Sequence, residues 1–169
     1  MSYFPIFIDM TDRQGLVVGA GSVASRRVGV LEKFGAAITV IAPNTSEEIR
    51  KLADSRKICL IEQTYEEVRD TIWQEKSFFM ALAATGQTGT DAGIKEDASS
   101  HSVWFNMASD KSQSEFYFPA IAQGRTDSRI DFWRSRSGID ASCSKRSTPR
   151  AGGGRGRRYL IYFIEEIKN

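Results

Sequence analysis

The chain has 169 residues, of which 41% are hydrophobic and 26% charged, with a formal net charge of +2. That length holds one domain with a small appendage, and that composition supports a buried core and excludes wholesale disorder. No apolar run approaches the roughly 20 residues needed to span a bilayer. Asp9 and Asp12 follow the apolar start and no basic leader precedes it, which does not read as a signal peptide. Two cysteines, Cys59 and Cys143, cannot build a disulfide framework, and the one histidine, His101, cannot build a histidine-based metal cluster. The expectation is a reduced, soluble, cytoplasmic protein with no metal site and no membrane partner.

The elements follow in chain order. Leu16-Val17-Val18 is a short apolar run behind the polar stretch 11–15 and reads as a buried strand. Gly19-Ala20-Gly21-Ser22-Val23-Ala24 comes next, then a loose helical stripe through Val28 and Leu31 to Phe34, with Gly35 as its stop. Ile38 to Ala42 is a second strand, ended by Pro43-Asn44. Thr45-Ser46-Glu47-Glu48 opens a helix with acidic residues in its first turn. Ile58 to Ile61 is a third strand and Phe78 to Ala84 a fourth. A helix over Asp91 to Ser99 and a strand over Ser102 to Asn106 complete the series. Continuous apolar strands alternating with helices predict an α/β fold, a doubly wound parallel sheet covered on both faces.

The glycine turn carries the chemistry. Directly after a buried strand, Gly19 permits a tight turn, Gly21 lets the backbone approach a pyrophosphate, and small Ala24 allows close helix–strand packing. The following helix offers unpaired N–H groups and the positive end of its dipole to phosphates. The acidic residue that usually holds the adenosine ribose belongs at the end of the second strand, where this chain has Ala42-Pro43-Asn44. Asn44 can hydrogen-bond a ribose hydroxyl, and that turn holds no Arg or Lys for a 2′-phosphate, so NAD is expected over NADP. Pro43-Asn44 also reads as a plain strand terminator.

Residues 3–9 (Tyr3-Phe4-Pro5-Ile6-Phe7-Ile8-Asp9), Leu16 to Val28 and Thr39 to Pro43 together resemble the opening of precorrin-2 dehydrogenases, the N-terminal domains of siroheme synthases. Ala83-Ala84-Thr85 is similar to that family's strand end, and Asn106 with Phe116-Tyr117-Phe118-Pro119-Ala120 resembles its Asn-x-x-Asp and Phe-x-x-Pro-Ala segments. The resemblance covers about residues 3–123. It implies a Rossmann-like domain that uses NAD to oxidise precorrin-2 to sirohydrochlorin in a homodimer, and in some relatives Fe²⁺ is then inserted as a second substrate. It places Gly19, Gly21, Ser22 and Val23 at the pyrophosphate, Pro43 and Asn44 against the adenosine ribose, and Thr85 near the nicotinamide half. The family's catalytic Asp falls on Ser109 in a gapless count from Asn106, with Asp110 one step later. Since serine supplies no carboxylate, Asp110 is the expected general base. His101 reads as a surface histidine.

The second half departs from that pattern. The expected organisation is an NAD-binding domain over residues 1–112 and a remnant of the dimer and substrate region over 113–169. Residues 125–158 hold nine Arg, one Lys, three Asp, six Ser and the run Gly152-Gly153-Gly154, a net of +7 that leaves −5 on the rest. One back-translation of residues 124–134, read one nucleotide later, gives Glu-Gly-Leu-Ile-Val-Gly-Leu-Ile-Ser-Gly, an apolar strand and turn. A frameshift near Gln123-Gly124 and a poorly packed stretch after it are therefore expected. A basic nucleic-acid-binding tail is the weaker reading, because Asp127, Asp131 and Asp140 interrupt the charge and no recognised motif is present. Two function classes follow: a tetrapyrrole dehydrogenase, with or without a ferrochelatase step, and a dinucleotide-binding module without catalysis. The module is either regulatory or an enzyme that has lost its C-terminal region.

Overall fold

The computed structural model describes residues 6–118. The expectations for residues 125–158, the frameshift and the Pro119-Ala120 segment lie outside the described residues. Among the described residues five parallel strands form one sheet: β1 Gln14–Val18, β2 Ala37–Ile41, β3 Ile58–Ile61, β4 Met80–Ala83 and β5 Trp104–Met107. Their order is β3-β2-β1-β4-β5, so the chain builds outward to one edge, then crosses back to the other side of β1. The doubly wound α/β fold is the one the alternation predicts, and β1 lies at its centre.

Helices α1 Ser22–Lys33, α2 Glu47–Asp54, α3 Tyr65–Glu75 and α4 Thr88–Ser100 make the crossovers. Alternate side chains of a strand face opposite sides of a sheet, so both faces must be covered. Leu16, Val18, Ala81, Ala83 and Phe105 point to the side on which Tyr65, Ile72, Trp73, Ile94 and Ala98 of α3 and α4 complete one core cluster. Val17, Val40 and Leu82 point to the other, where α1 supplies Ala24, Val28 and Leu31, all buried. Helix α1 stops where the sequence indicates: Phe34 is its C-cap and Gly35 takes φ +79°.

Helix α3 is the element the sequence reading did not identify. Tyr65, Val68, Ile72 and Trp73 line one face at helical spacing and pack into the core, and polar contacts add to that packing. The Glu67 carboxylate accepts from Thr64 N (2.7 Å) and Thr64 Oγ1 (2.8 Å), a capping arrangement that was legible as Thr-x-x-Glu at positions 64–67. Arg69 donates twice to Asp97 of α4, at 2.6 Å each, and Tyr65 donates to the same carboxylate. Trp73 Nε1 donates to Tyr65 Oη at 2.7 Å. Burial, then the Asp97 hydrogen bond, pushes the Tyr65 phenol above its ordinary value, so it remains a donor. His101 stacks on Trp73 with centroids 4.8 Å apart, at the C-terminal end of α4.

This network joins two helices and lies toward the end of α4 away from its N-terminus. Asp97→Asn keeps the side-chain volume but loses the charge that holds Arg69 bidentately. The expected result is a lower melting temperature with dinucleotide affinity unchanged, read by thermal unfolding beside a binding titration.

Candidate functional site

The carboxyl ends of the strands lie level. Ile61, Ile41, Val18, Ala83 and Met107 are successive cross-strand partners and form a single row along the sheet. The loops that leave this row carry Glu62, Pro43-Asn44, the Gly19–Gly21 turn, Ala84-Thr85 and Ser109-Asp110. The strand order reverses between β1 and β4, and in open parallel sheets that reversal is where a crevice opens for a ligand.

The two turn glycines have different jobs. Gly19 takes φ +107°, and a Cβ there would stand 2.3 Å from the Ala84 carbonyl oxygen. It must be glycine because the β1–α1 turn runs directly over the end of β4. Gly21 has extended backbone (φ −74°, ψ −174°), and a Cβ there would meet nothing within 4 Å. It is the N-cap of α1 and makes no side-chain cap bond, and the first turn of α1 has no acidic residue. By contrast, Ser46 caps α2 by accepting from Ile49 N. Gly21, Ser22 and Val23 are exposed, while Ala24 behind them is fully buried against the sheet. An uncapped helix start with an open approach and a positive dipole end is chemically suited to a phosphate.

Pro43 and Asn44 are exposed just past β2. Arg50 of α2 reaches this turn: it donates to Thr45 Oγ1 at 2.9 Å and pairs with Glu62 at 2.6 Å. Thr45 Oγ1 donates to Glu62 at 3.1 Å. Both charges are missing from the sequence reading, which looked for them inside the turn. The turn itself has neither, but neighbouring elements bring one of each sign to it.

Thr85 lies past the end of β4 and is tied to Asp91 in the first turn of α4. Its Oγ1 donates to Asp91 Oδ1 at 2.6 Å, and its N–H donates to the same oxygen at 3.3 Å. Asp91 is 1% exposed. Its second oxygen accepts from Ser109 Oγ at 3.5 Å, so this carboxylate bridges the ends of β4 and β5. The sequence marked Asp91 as the start of a helix, with no sign that the side chain turns inward.

Asp110 is exposed beside this cluster. Its Oδ1 accepts from Ser112 Oγ (2.7 Å) and Ser112 N (2.8 Å), which starts a single 3₁₀ turn at Lys111–Gln113. Those bonds, the side-chain one first, with a smaller contribution from the Lys95 charge, hold its carboxyl below the usual range. Asn106 is buried and donates from Nδ2 to the Phe116 carbonyl at 2.6 Å, fastening the returning chain to β5. His101 lies past the C-terminal end of α4, away from the crevice.

An open parallel sheet of this order with a phosphate-ready glycine turn at its reversal point is the architecture of a dinucleotide-binding domain. A family model described as "Putative NAD(P)-binding" matches residues 6–120. "Probable multifunctional siroheme biosynthesis protein HemA" of Ruminiclostridium josui is 35% identical over 118 residues, 70% of this chain and 22% of that protein. A siroheme synthase of Blochmanniella pennsylvanica is 32% identical over 121 residues, 72% of this chain and 24% of that protein. The solved structure of "SirC, precorrin-2 dehydrogenase" is 25% identical with a TM-score of 0.58, covering 83% of this chain and 65% of that one. The chain belongs to the NAD(P)-binding family of siroheme synthase N-terminal domains and precorrin-2 dehydrogenases. The matched stretch spans less than a quarter of the length of these two siroheme proteins.

Proposed function

We propose that this protein binds NAD across the β1/β4 reversal and uses it to oxidise precorrin-2 to sirohydrochlorin. The observation that carries the reading is the open, uncapped turn at Gly21–Val23, at the strand-order reversal of a chain in this family. The pyrophosphate lies over Gly21, Ser22 and Val23, with Gly19 holding the turn against β4. Pro43 and Asn44 face the adenosine ribose, and Thr85 faces the nicotinamide half. NAD supplies the hydride acceptor.

Oxidation removes a hydride from a ring carbon and a proton from the macrocycle, giving NADH, a proton and sirohydrochlorin. Asp110 is proposed as the proton acceptor. Its two bonds fall on Oδ1, which leaves Oδ2 for the proton. Homodimerisation is a further part of the reading drawn from the family resemblance, a cytoplasmic location follows from the composition and cysteine usage, and insertion of Fe²⁺ as a second substrate is a further alternative. No helix among the described residues is long and apolar enough to cross a membrane.

The full chain incubated with precorrin-2 and NAD is expected to produce NADH and sirohydrochlorin in equal amounts, followed by absorbance. NAD binding without turnover favours the alternative, a dinucleotide-binding module without catalysis, and overturns the dehydrogenase.

The preference for NAD over NADP has its own support. The Glu62 carboxylate stands at the ribose turn and engages Arg50, so a 2′-phosphate meets a like charge while the nearby guanidinium is occupied. NADH is expected to bind more tightly than NADPH. Glu62→Gln releases Arg50 and should narrow the difference in a fluorescence titration with both cofactors.

A further inference from the structure

The buried Asp91 does more than cap a turn. Thr85 Oγ1 has one proton and two lone pairs. The 2.6 Å bond to the carboxylate takes the proton, in preference to the 3.4 Å contact with the Gln87 carbonyl. Gln87 N–H donates to the same hydroxyl at 3.0 Å and takes one lone pair. One lone pair remains, so Thr85 can meet a ligand only as an acceptor. Ser109 Oγ, across the β4–β5 junction, also directs its proton to Asp91, at 3.5 Å. A single buried carboxylate thereby sets the hydrogen-bond polarity of the crevice on its β4 and β5 side.

A dinucleotide with its adenosine end at β2 extends its other half over β4 and β5. The nicotinamide carboxamide is the N–H donor on that half. We propose that Asp91 is a positioning residue for the cofactor: by fixing the Thr85 hydroxyl as an acceptor, it selects the carboxamide N–H of nicotinamide. This inference rests on the cofactor reading above and adds a residue and a role to it. Asp91 itself touches no cofactor in this account.

The test is binding, so it does not depend on turnover. The full chain is titrated with NAD and with the 3-acetylpyridine analogue, in which a methyl replaces the carboxamide NH₂. The wild-type chain should bind the analogue about three- to tenfold more weakly, the value of one neutral hydrogen bond. Thr85→Val should abolish that preference. Asp91→Ala should abolish it too, and combining it with Thr85→Val should remove nothing further, because the two act through one contact. Asp91→Leu, closer to the original volume, serves if the alanine chain does not fold.

Asp91→Asn should restore the preference. Its amide oxygen can accept from Thr85 N and Oγ1 as the carboxylate does, and a residue needed only for its charge would not be rescued. Equal wild-type affinity for NAD and the analogue overturns the proposal while leaving NAD binding intact. Full discrimination in Asp91→Ala or Asp91→Leu overturns it as well. Failure of the wild-type chain to bind either dinucleotide overturns the cofactor reading and this inference together.

Discussion

Gly19→Ala and Gly21→Ala, two residues apart in one turn, are expected to fail in opposite ways. At Gly19 the added methyl lies 2.3 Å from the Ala84 carbonyl oxygen and 2.6 Å from its carbon, at φ +107°. Both atoms are backbone, and β4 is hydrogen-bonded on both sides by β1 and β5, so neither side of the overlap moves cheaply. Overlap and a left-handed-side φ together should cost at least about 3 kcal/mol of stability, a large fraction of what a domain this size has. At Gly21 the methyl enters open space with unstrained backbone, so stability should change by no more than about 0.5 kcal/mol. It sits instead at the proposed phosphate site, and NAD affinity should fall about tenfold or more, the value of a hydrogen bond to a charged group. Denaturant unfolding and NADH titration of the two variants separate the effects. Equal behaviour of the two variants would contradict the assignment of fold to one glycine and ligand to the other.

Asp110→Asn is expected to reduce precorrin-2 turnover about 100-fold while leaving NADH affinity unchanged, since the proposed phosphate site is Gly21–Val23. The pH dependence follows from the direction of its shift. Ser112 holds this carboxyl below its ordinary value, so the basic form persists through neutral pH and into mild acid. The acid limb of the rate should fall below the usual carboxylate pKa of about 3.9, with no loss attributable to this group at higher pH. The bonds that keep it ionised also weaken it as a base. Undiminished turnover in Asp110→Asn would remove the role from this residue, and Ser109, hydrogen-bonded to Asp91, is the next to substitute.

The sheet was legible because its signals are local. Leu16-Val17-Val18, Ile38 to Ile41 and Ile58 to Ile61 are continuous apolar runs with breakers at their ends, as buried parallel strands require. Gly19 and Gly21 were legible as a motif, and the structure distinguishes them by what surrounds each. Helix α3 has local signals too, the spacing of Tyr65, Val68, Ile72 and Trp73 behind Thr64-x-x-Glu67, but its tie from Arg69 to Asp97 of α4 crosses 28 residues and leaves no trace in periodicity. Asp91, Arg50 and Glu62 were hidden for the same reason. Each reaches the site from an element that begins or ends elsewhere, and only the level row of strand ends brings them to one edge. The ribose turn shows the limit most plainly: a search of residues 42–44 for a charge finds none, although Arg50 and Glu62 flank it.

In the proposed complex one dinucleotide lies along that edge, from Asn44 over Gly21–Val23 to Thr85. Amide chemical-shift perturbation of the isotopically labelled full chain by NAD reads that placement residue by residue, with AMP and nicotinamide mononucleotide titrated separately. NAD should shift Asn44, Gly21, Ser22, Val23 and Thr85 together. AMP should reproduce the shifts at Asn44 and the glycine turn, and the mononucleotide those at Thr85 and the glycine turn. Shifts confined to other residues, or none at Gly21–Val23 under saturating NAD, would contradict the account.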